Sequence, residues 1–111
     1  MSKAERFHQQ LTNELADRLE GWNYEFIEKN ENYSVRRHHR IYTGEFDVLT
    51  YRNGWWHYYE VKGHNTPGAR VRAAKQFARC TRAYPLRNWV FVYYTNEEVL
   101  RFRRPAQKQG V

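Results

Sequence analysis

A chain of 111 residues, 41% hydrophobic, 17% aromatic and 28% charged, has the make-up of one small globular domain and not of a disordered segment. No apolar run approaches the roughly 20 residues of a membrane span, and Met1 to Arg6 lack the apolar core of a signal peptide; with a single cysteine, Cys80, internal disulfides and cysteine zinc fingers are excluded and a reducing, cytoplasmic setting is expected. The formal net charge of +7 points to a polyanionic partner, most often nucleic acid.

Residues 3–20 read as an amphipathic helix, because Phe7, Leu11, Leu15 and Leu19 recur at every fourth position and Gly21 follows as a stop. Residues 22–28 alternate as a strand, and residues 29–40, polar and then strongly basic, read as a loop. Two aromatic and β-branched runs, 41–52 and 55–62, flank Asn53-Gly54. That dipeptide is the strongest short-range hairpin signal, since both central positions of a type I′ turn need positive φ. Gly63 to Gly68 breaks the pattern, and residues 69–83 read as a second helix with Val71, Ala74, Phe77 and Ala78 turned inward. Residues 88–95 are the most apolar run and are expected to form a central strand buried on both faces, with 98–104 as an edge strand. The expected order is α-β-β-β-α-β-β, an α/β domain over residues 1–104 with a mixed sheet, followed by a flexible tail at 105–111.

The positive charge is unevenly spread. Residues 1–34 carry four basic side chains (Lys3, Arg6, Arg18, Lys29) and seven acidic ones (Glu5, Glu14, Asp17, Glu20, Glu25, Glu28, Glu31) out of totals of 19 and 12, leaving fifteen basic and five acidic residues for the rest. Between Arg36 and Asn96 the acids are Glu45, Asp47 and Glu60. With Asn53 and Gly54 at the turn, Arg52 faces Trp55, Asp47 faces Glu60 and Glu45 faces Lys62. Alternation then puts these acids and Lys62 on one sheet face beside Leu49, Trp56 and Tyr58. Directly opposed Cβ atoms lie about 4.5–5.5 Å apart, where like charges destabilise a sheet. Two carboxylates so placed ask for a cation, and Mg²⁺ takes one or two carboxylates plus waters and phosphate oxygens. A half-exposed hairpin with a Glu45–Lys62 ion pair, worth at most about 1 kcal/mol, is the simpler reading. It leaves unexplained why the acids of a long basic stretch face each other.

The run Gly44-Glu45-Phe46-Asp47-Val48-Leu49, with Glu60-Val61-Lys62 thirteen positions after Asp47, resembles the PD-(D/E)XK nuclease signature. Glu45 stands two residues before Asp47, and the proline of the signature's name is absent. Arg70-Val71-Arg72-Ala73-Ala74-Lys75-Gln76-Phe77 is similar to the glutamine-bearing helix of small archaeal-type and phage Holliday junction resolvases. The resemblance covers about residues 5–95. It implies a restriction-endonuclease-like α/β core. It also implies Asp47, Glu60 and the Val61 carbonyl as metal ligands, Lys62 as the catalytic lysine and Gln76 as a supporting polar residue. The family's first-helix glutamate corresponds to Glu14, with Glu5 as second choice; for either, the competing reading is a solvated helix glutamate.

Arg36, Arg37, His38 and Arg40 precede the hairpin and are expected to contact phosphate. Arg70, Arg72 and Lys75 recur at helical spacing as a second phosphate stripe, continued by Arg79 and Arg82. His64, just after Lys62-Gly63, is a phosphate contact or a plain loop histidine. His57 falls on the hairpin face opposite Glu60 and reads as structural, and Cys80 as a small buried residue. No Walker loop, dinucleotide fingerprint or Ser-His-Asp arrangement is readable, so no small-molecule cofactor is expected.

The expectation is therefore an endonuclease that hydrolyses DNA phosphodiesters with Mg²⁺, for which Mn²⁺ substitutes. The resemblance makes four-way or branched junctions the substrate, in recombination or repair. One chain carries one carboxylate hairpin, so two matched nicks call for a homodimer. The alternatives are a nuclease of the same superfamily acting on single strands, flaps, or restriction or repair substrates, and a non-catalytic nucleic-acid-binding module.

Overall fold

The structure is a computed structural model that describes residues 1–21, 26–37 and 40–107; for residues 26–28, 31–37 and 40–44 it describes the backbone. Helix α1 spans Lys3–Glu20 and opens at the N-cap Ser2, whose hydroxyl accepts from the Glu5 N–H at 3.1 Å; Gly21 caps its end. The strands are β1 (Phe26–Arg37), β2 (Arg40–Arg52), β3 (Trp55–Val61), β4 (Asn88–Tyr94) and β5 (Val99–Arg104), with helix α2 (Pro67–Ala83) between β3 and β4. Thr66 caps α2 and Pro67 occupies its first turn, where the missing N–H costs nothing.

The five strands form one mixed sheet in the order β1-β2-β3-β4-β5. Its first three strands are antiparallel, β3 and β4 are parallel with α2 as the crossover, and β5 returns antiparallel. The chain is thus an α/β domain with helices on both sheet faces. Leu11, Leu15 and Leu19 of α1 pack on Val48, Tyr59, Val61, Val90 and Val92. Ala73, Phe77 and Cys80 of α2 pack on Phe46, Leu49, Tyr58, Trp89, Phe91 and Tyr93 on the other face. Among the described residues no helix is long and apolar enough to cross a membrane.

Three expectations are corrected. Residues 29–37 continue β1 as a strand paired with β2, where a loop over 29–40 is predicted. The apolar composition of that stretch is low, and its pairing comes from the long β2 alongside it, which no local pattern announces. Helix α2 buries Ala69, Ala73, Phe77 and Cys80, and leaves Val71 54% exposed. Phe77 decides the rotation: its ring stacks on Phe91 at 4.8 Å and meets Tyr58 edge-on at 5.2 Å, more buried area than Val71 can offer. Strand β4 is buried on both faces as expected, yet β3 holds the middle of the sheet. Of the predicted tail, Ala106 and Gln107 donate to Asn88 Oδ1 at 2.8 Å and to the Pro85 carbonyl at 2.9 Å, and residues 108–111 lie outside the described residues.

Candidate active site

The hairpin predicted at Asn53-Gly54 forms with φ of +54° and +83° at those residues, and its register runs from Arg52↔Trp55 to Val48↔Tyr59. One step further Asp47 and Glu60 come together, each 6% exposed. The ladder stops there. The Val61 N–H donates to Asp47 Oδ2 at 2.8 Å in place of a main-chain carbonyl.

Strict alternation also fails at this point. Val48 packs with α1 and Leu49 with α2, as period two requires, but Phe46 joins the α2 cluster as well. Opposite the irregular residue Asp47 lies Asn30, in the left-handed region at φ +56°, and this is the pair that the β1–β2 register passes over between Lys29↔Val48 and Glu31↔Phe46. The consequence is that Asp47 and Glu60 are approached from both sides. From the α1 side His8 Nε2 stands 3.5 Å from Asp47 Oδ1. On the α2 side the Tyr58 hydroxyl donates to Glu60 Oε2, and Lys62 Nζ lies 3.4 Å from Glu60 Oε1. Glu45 takes no such place. It is exposed, its main-chain carbonyl faces the Tyr58 hydroxyl at 3.1 Å, and the ion pair of Lys62 is with Glu60.

The electrostatics follow from burial. Glu60 is pushed up to about 7, first by desolvation and then by the charge of Asp47; the Tyr58 hydroxyl and the Lys62 ammonium pull the other way without cancelling it. His8 is raised above its ordinary value, chiefly by its hydrogen bond to Asp47, against the opposing effect of its own burial. The pair is therefore short of positive charge even with Lys62 and His8 in place.

Two buried carboxylates with unspent lone pairs and an unfavourable mutual charge fit a divalent cation of the Mg²⁺ type, which needs few protein ligands and keeps waters. Asp47 and Glu60 would hold it, with the Val61 carbonyl at the same strand end. Among the described residues no three His, Cys, Asp or Glu side chains are close enough to make a metal site by themselves. Glu14 in particular is not brought in. It lies on the exposed face of α1 and accepts from Gln10 at 3.0 Å; Glu5 is likewise exposed.

The helix residue that does reach the site, His8, carries a readable signal, because Leu11, Thr12 and Leu15 follow it at the i+3, i+4 and i+7 positions of the buried stripe. Tyr58 gives none, since a strand tyrosine among aromatics reads as core. Gln76 is half-buried between Ala73 and Phe77 on α2. His64, Arg70, Arg72 and Lys75 are exposed around the β3–α2 connection and along α2. Arg36, Arg37 and Arg40 lie at the far end of the β1–β2 ladder, beyond the carboxylates; their side chains and all of His38 fall outside the described residues. His57 stacks on Tyr59, on the α1 face, and is lowered by burial and by Arg101. Burial likewise raises the Cys80 thiol, and the residue is fully enclosed.

No protein-family model matches the chain, and no curated protein matches it. Among solved structures it is similar to one described as "Crystal structure of SSO0001", with a TM-score of 0.50 and 15% identity over 97% of this chain and 55% of that one. The chain spans about half the length of that structure, and the likeness is one of α/β fold.

Proposed function

We propose that the chain is a metal-dependent DNA endonuclease on a restriction-endonuclease-like core, with four-way or branched junctions as its substrate. The observation that carries the proposal is the pair Asp47 and Glu60, 6% exposed each, flanked by Lys62 at 3.4 Å, in an otherwise basic half of the chain. A pair of like charges is expensive to bury, and a bound cation would offset that cost.

A bound divalent cation supplies charge to phosphate oxygens and lowers the pKa of water. The chain's own residues do the rest. Val61 N–H and His8 fix the Asp47 carboxylate from two directions, and Tyr58 fixes that of Glu60, so both ligands are pre-oriented. Lys62 holds positive charge beside Glu60 for a phosphate oxygen. Exposed Arg70, Arg72 and Lys75 draw the nucleic-acid backbone to the same end of the sheet.

The test is incubation of four-way junction, flap and linear duplex DNA with Mg²⁺ or with EDTA. Asp47→Asn and Glu60→Gln are expected to abolish cleavage and to leave DNA binding equal or tighter. Nicking above about a tenth of the parent rate in either variant refutes the proposal, because a lost metal ligand removes several kcal/mol of charge stabilisation.

A further inference from the structure

Helix α2 and strand β5 enclose an open groove of about 500 Å³, continued towards the carboxylates by a smaller hollow of about 120 Å³. That volume lies within the 300–1,000 Å³ range of ligand sites and is no packing defect. Its floor is aromatic: Phe91, which stacks on Phe77 at 4.8 Å and on Trp89 at 5.7 Å. On its wall Phe102 is 52% exposed, an unusual place for a phenylalanine on an edge strand. The small residues Ala74 and Ala78 form the opposite wall and keep the groove wide. Arg70, Arg82 and Arg104 stand along it, all exposed, and no acidic side chain lines it among the described residues.

The groove begins beside the candidate active site. Glu60 pairs with Tyr93 and Tyr93 with Leu100 across the sheet, and both Tyr93 and Leu100 lie on the α2 face, where Tyr58 reaches Glu60. Tyr93, which lines the hollow, is one strand spacing of about 5 Å from Glu60 along the sheet, and Leu100 is two.

We infer that the α2–β5 groove binds an unpaired nucleic-acid strand, with a base stacked on Phe102 and phosphates on Arg70, Arg82 and Arg104. An exposed aromatic platform between arginines is what sequence-tolerant single-strand binding uses, since every base has a π-face and every linkage a charge. A duplex would meet the arginines but could not put a base on Phe102. A second copy of β5 is disfavoured, because it would crowd Arg101, Arg103 and Arg104 of both copies onto one short ladder with no acid between them. An acidic peptide laid along β5 remains as the competing occupant, and it offers nothing to the aromatic floor.

The inference rests on the nuclease reading for its direction along the sheet, and its test is kept apart from cleavage by working in EDTA. Fluorescence anisotropy is measured with a labelled strand of about 20 deoxythymidines, a duplex of equal length, and a polyglutamate peptide. Phe102→Ala is expected to weaken single-strand binding about fivefold or more and to leave duplex binding within about twofold. Phe102→Trp restores the lost affinity, which a merely structural role would not give. Arg82→Ala with Arg104→Ala weakens single-strand binding further and makes its salt dependence shallower. Equal losses for single strand and duplex, or no loss in either variant, overturn the assignment. So does polyglutamate binding more tightly than the strand and losing its affinity in the same variants. Loss of cleavage in the Asp47 and Glu60 variants bears on the nuclease reading alone.

Discussion

Replacing Glu60 by glutamine should stabilise the metal-free protein above neutral pH while removing the proposed cleavage. The carboxyl is raised from 4.5 to about 7, mainly by burial and by Asp47. A group held protonated more tightly in the folded chain than in the unfolded one contributes stability that is complete below pH 4.5 and is lost as pH rises through about 7. At 1.36 kcal/mol per pKa unit, the loss amounts to about 3 kcal/mol. His8 works in the same direction, since its raised pKa gives stability that is present below 6.5 and is lost as pH climbs past the folded-state value. The chain's net charge of +7 opposes both, because self-repulsion relaxes as pH rises. Comparing parent and variant cancels that common background. The measurement is urea unfolding in EDTA at about pH 5 and about pH 8, followed by tryptophan fluorescence, for both proteins. The stability of Glu60→Gln relative to the parent is expected to rise by about 2 kcal/mol or slightly more between the two conditions, because pH 5 already lies above 4.5. Adding Mg²⁺ at the higher pH should raise the parent's midpoint and leave the variant's nearly unchanged. A relative stability that is the same at both pH values, or that moves the other way, refutes the account of a buried, undercompensated carboxylate pair.

Two further outcomes are expected. Changing Arg36, Arg37 and Arg40 together to alanine should make the log–log slope of DNA binding against salt shallower by about two to three units; an unchanged slope returns these residues to solvent. Light scattering at micromolar concentration should give a mass near twice 13.6 kDa, with junction DNA bound about tenfold more tightly than duplex; a monomer that cuts duplex equally well removes the junction assignment and keeps the chemistry.

What the sequence discloses and what it hides divide along physical lines. Asn53-Gly54 discloses the hairpin because both residues must take positive φ there, and the register it sets carries Asp47 to Glu60 without further information. Helix α1 is equally legible, from its Phe7, Leu11, Leu15 and Leu19 stripe to Gly21. The rotation of α2 is not, since Val71, Ala74 and Ala78 make as good a helical stripe as Ala69, Ala73 and Phe77, and the choice falls to ring packing between distant strands. Glu14 fails as a site residue for a related reason. Its spacing to the leucine stripe places it off the buried face, whereas His8 falls on it. The break in alternation at Asp47 has a faint local trace in Asn30, a residue type at ease in the left-handed region, but an asparagine in a polar run points to many things.

The two helices differ in how their N-terminal charge is used, and the difference bears on the proposed chemistry. The dipole of each helix leaves partial positive charge at its first turn. In α1 Glu5 sits in that turn and offsets it, as in most surface helices. In α2 no acid does so, and Arg70 adds to the charge. Because α2 follows β3 through a connection of only a few residues, that uncompensated end lies at the same end of the sheet as Glu60, Val61 and Lys62. It is also the carboxyl end of the parallel pair β3 and β4, where the Lys62 N–H binds the Tyr94 carbonyl at 2.9 Å. Open α/β sheets take their ligands outside the carboxyl ends of parallel strands. Stability alone would favour an acid at the start of α2, worth some tenths of a kcal/mol up to about 1 kcal/mol. Leaving that position basic forgoes the gain and leaves positive charge at the end of the sheet that holds the two buried carboxylates, as the proposed phosphate chemistry requires.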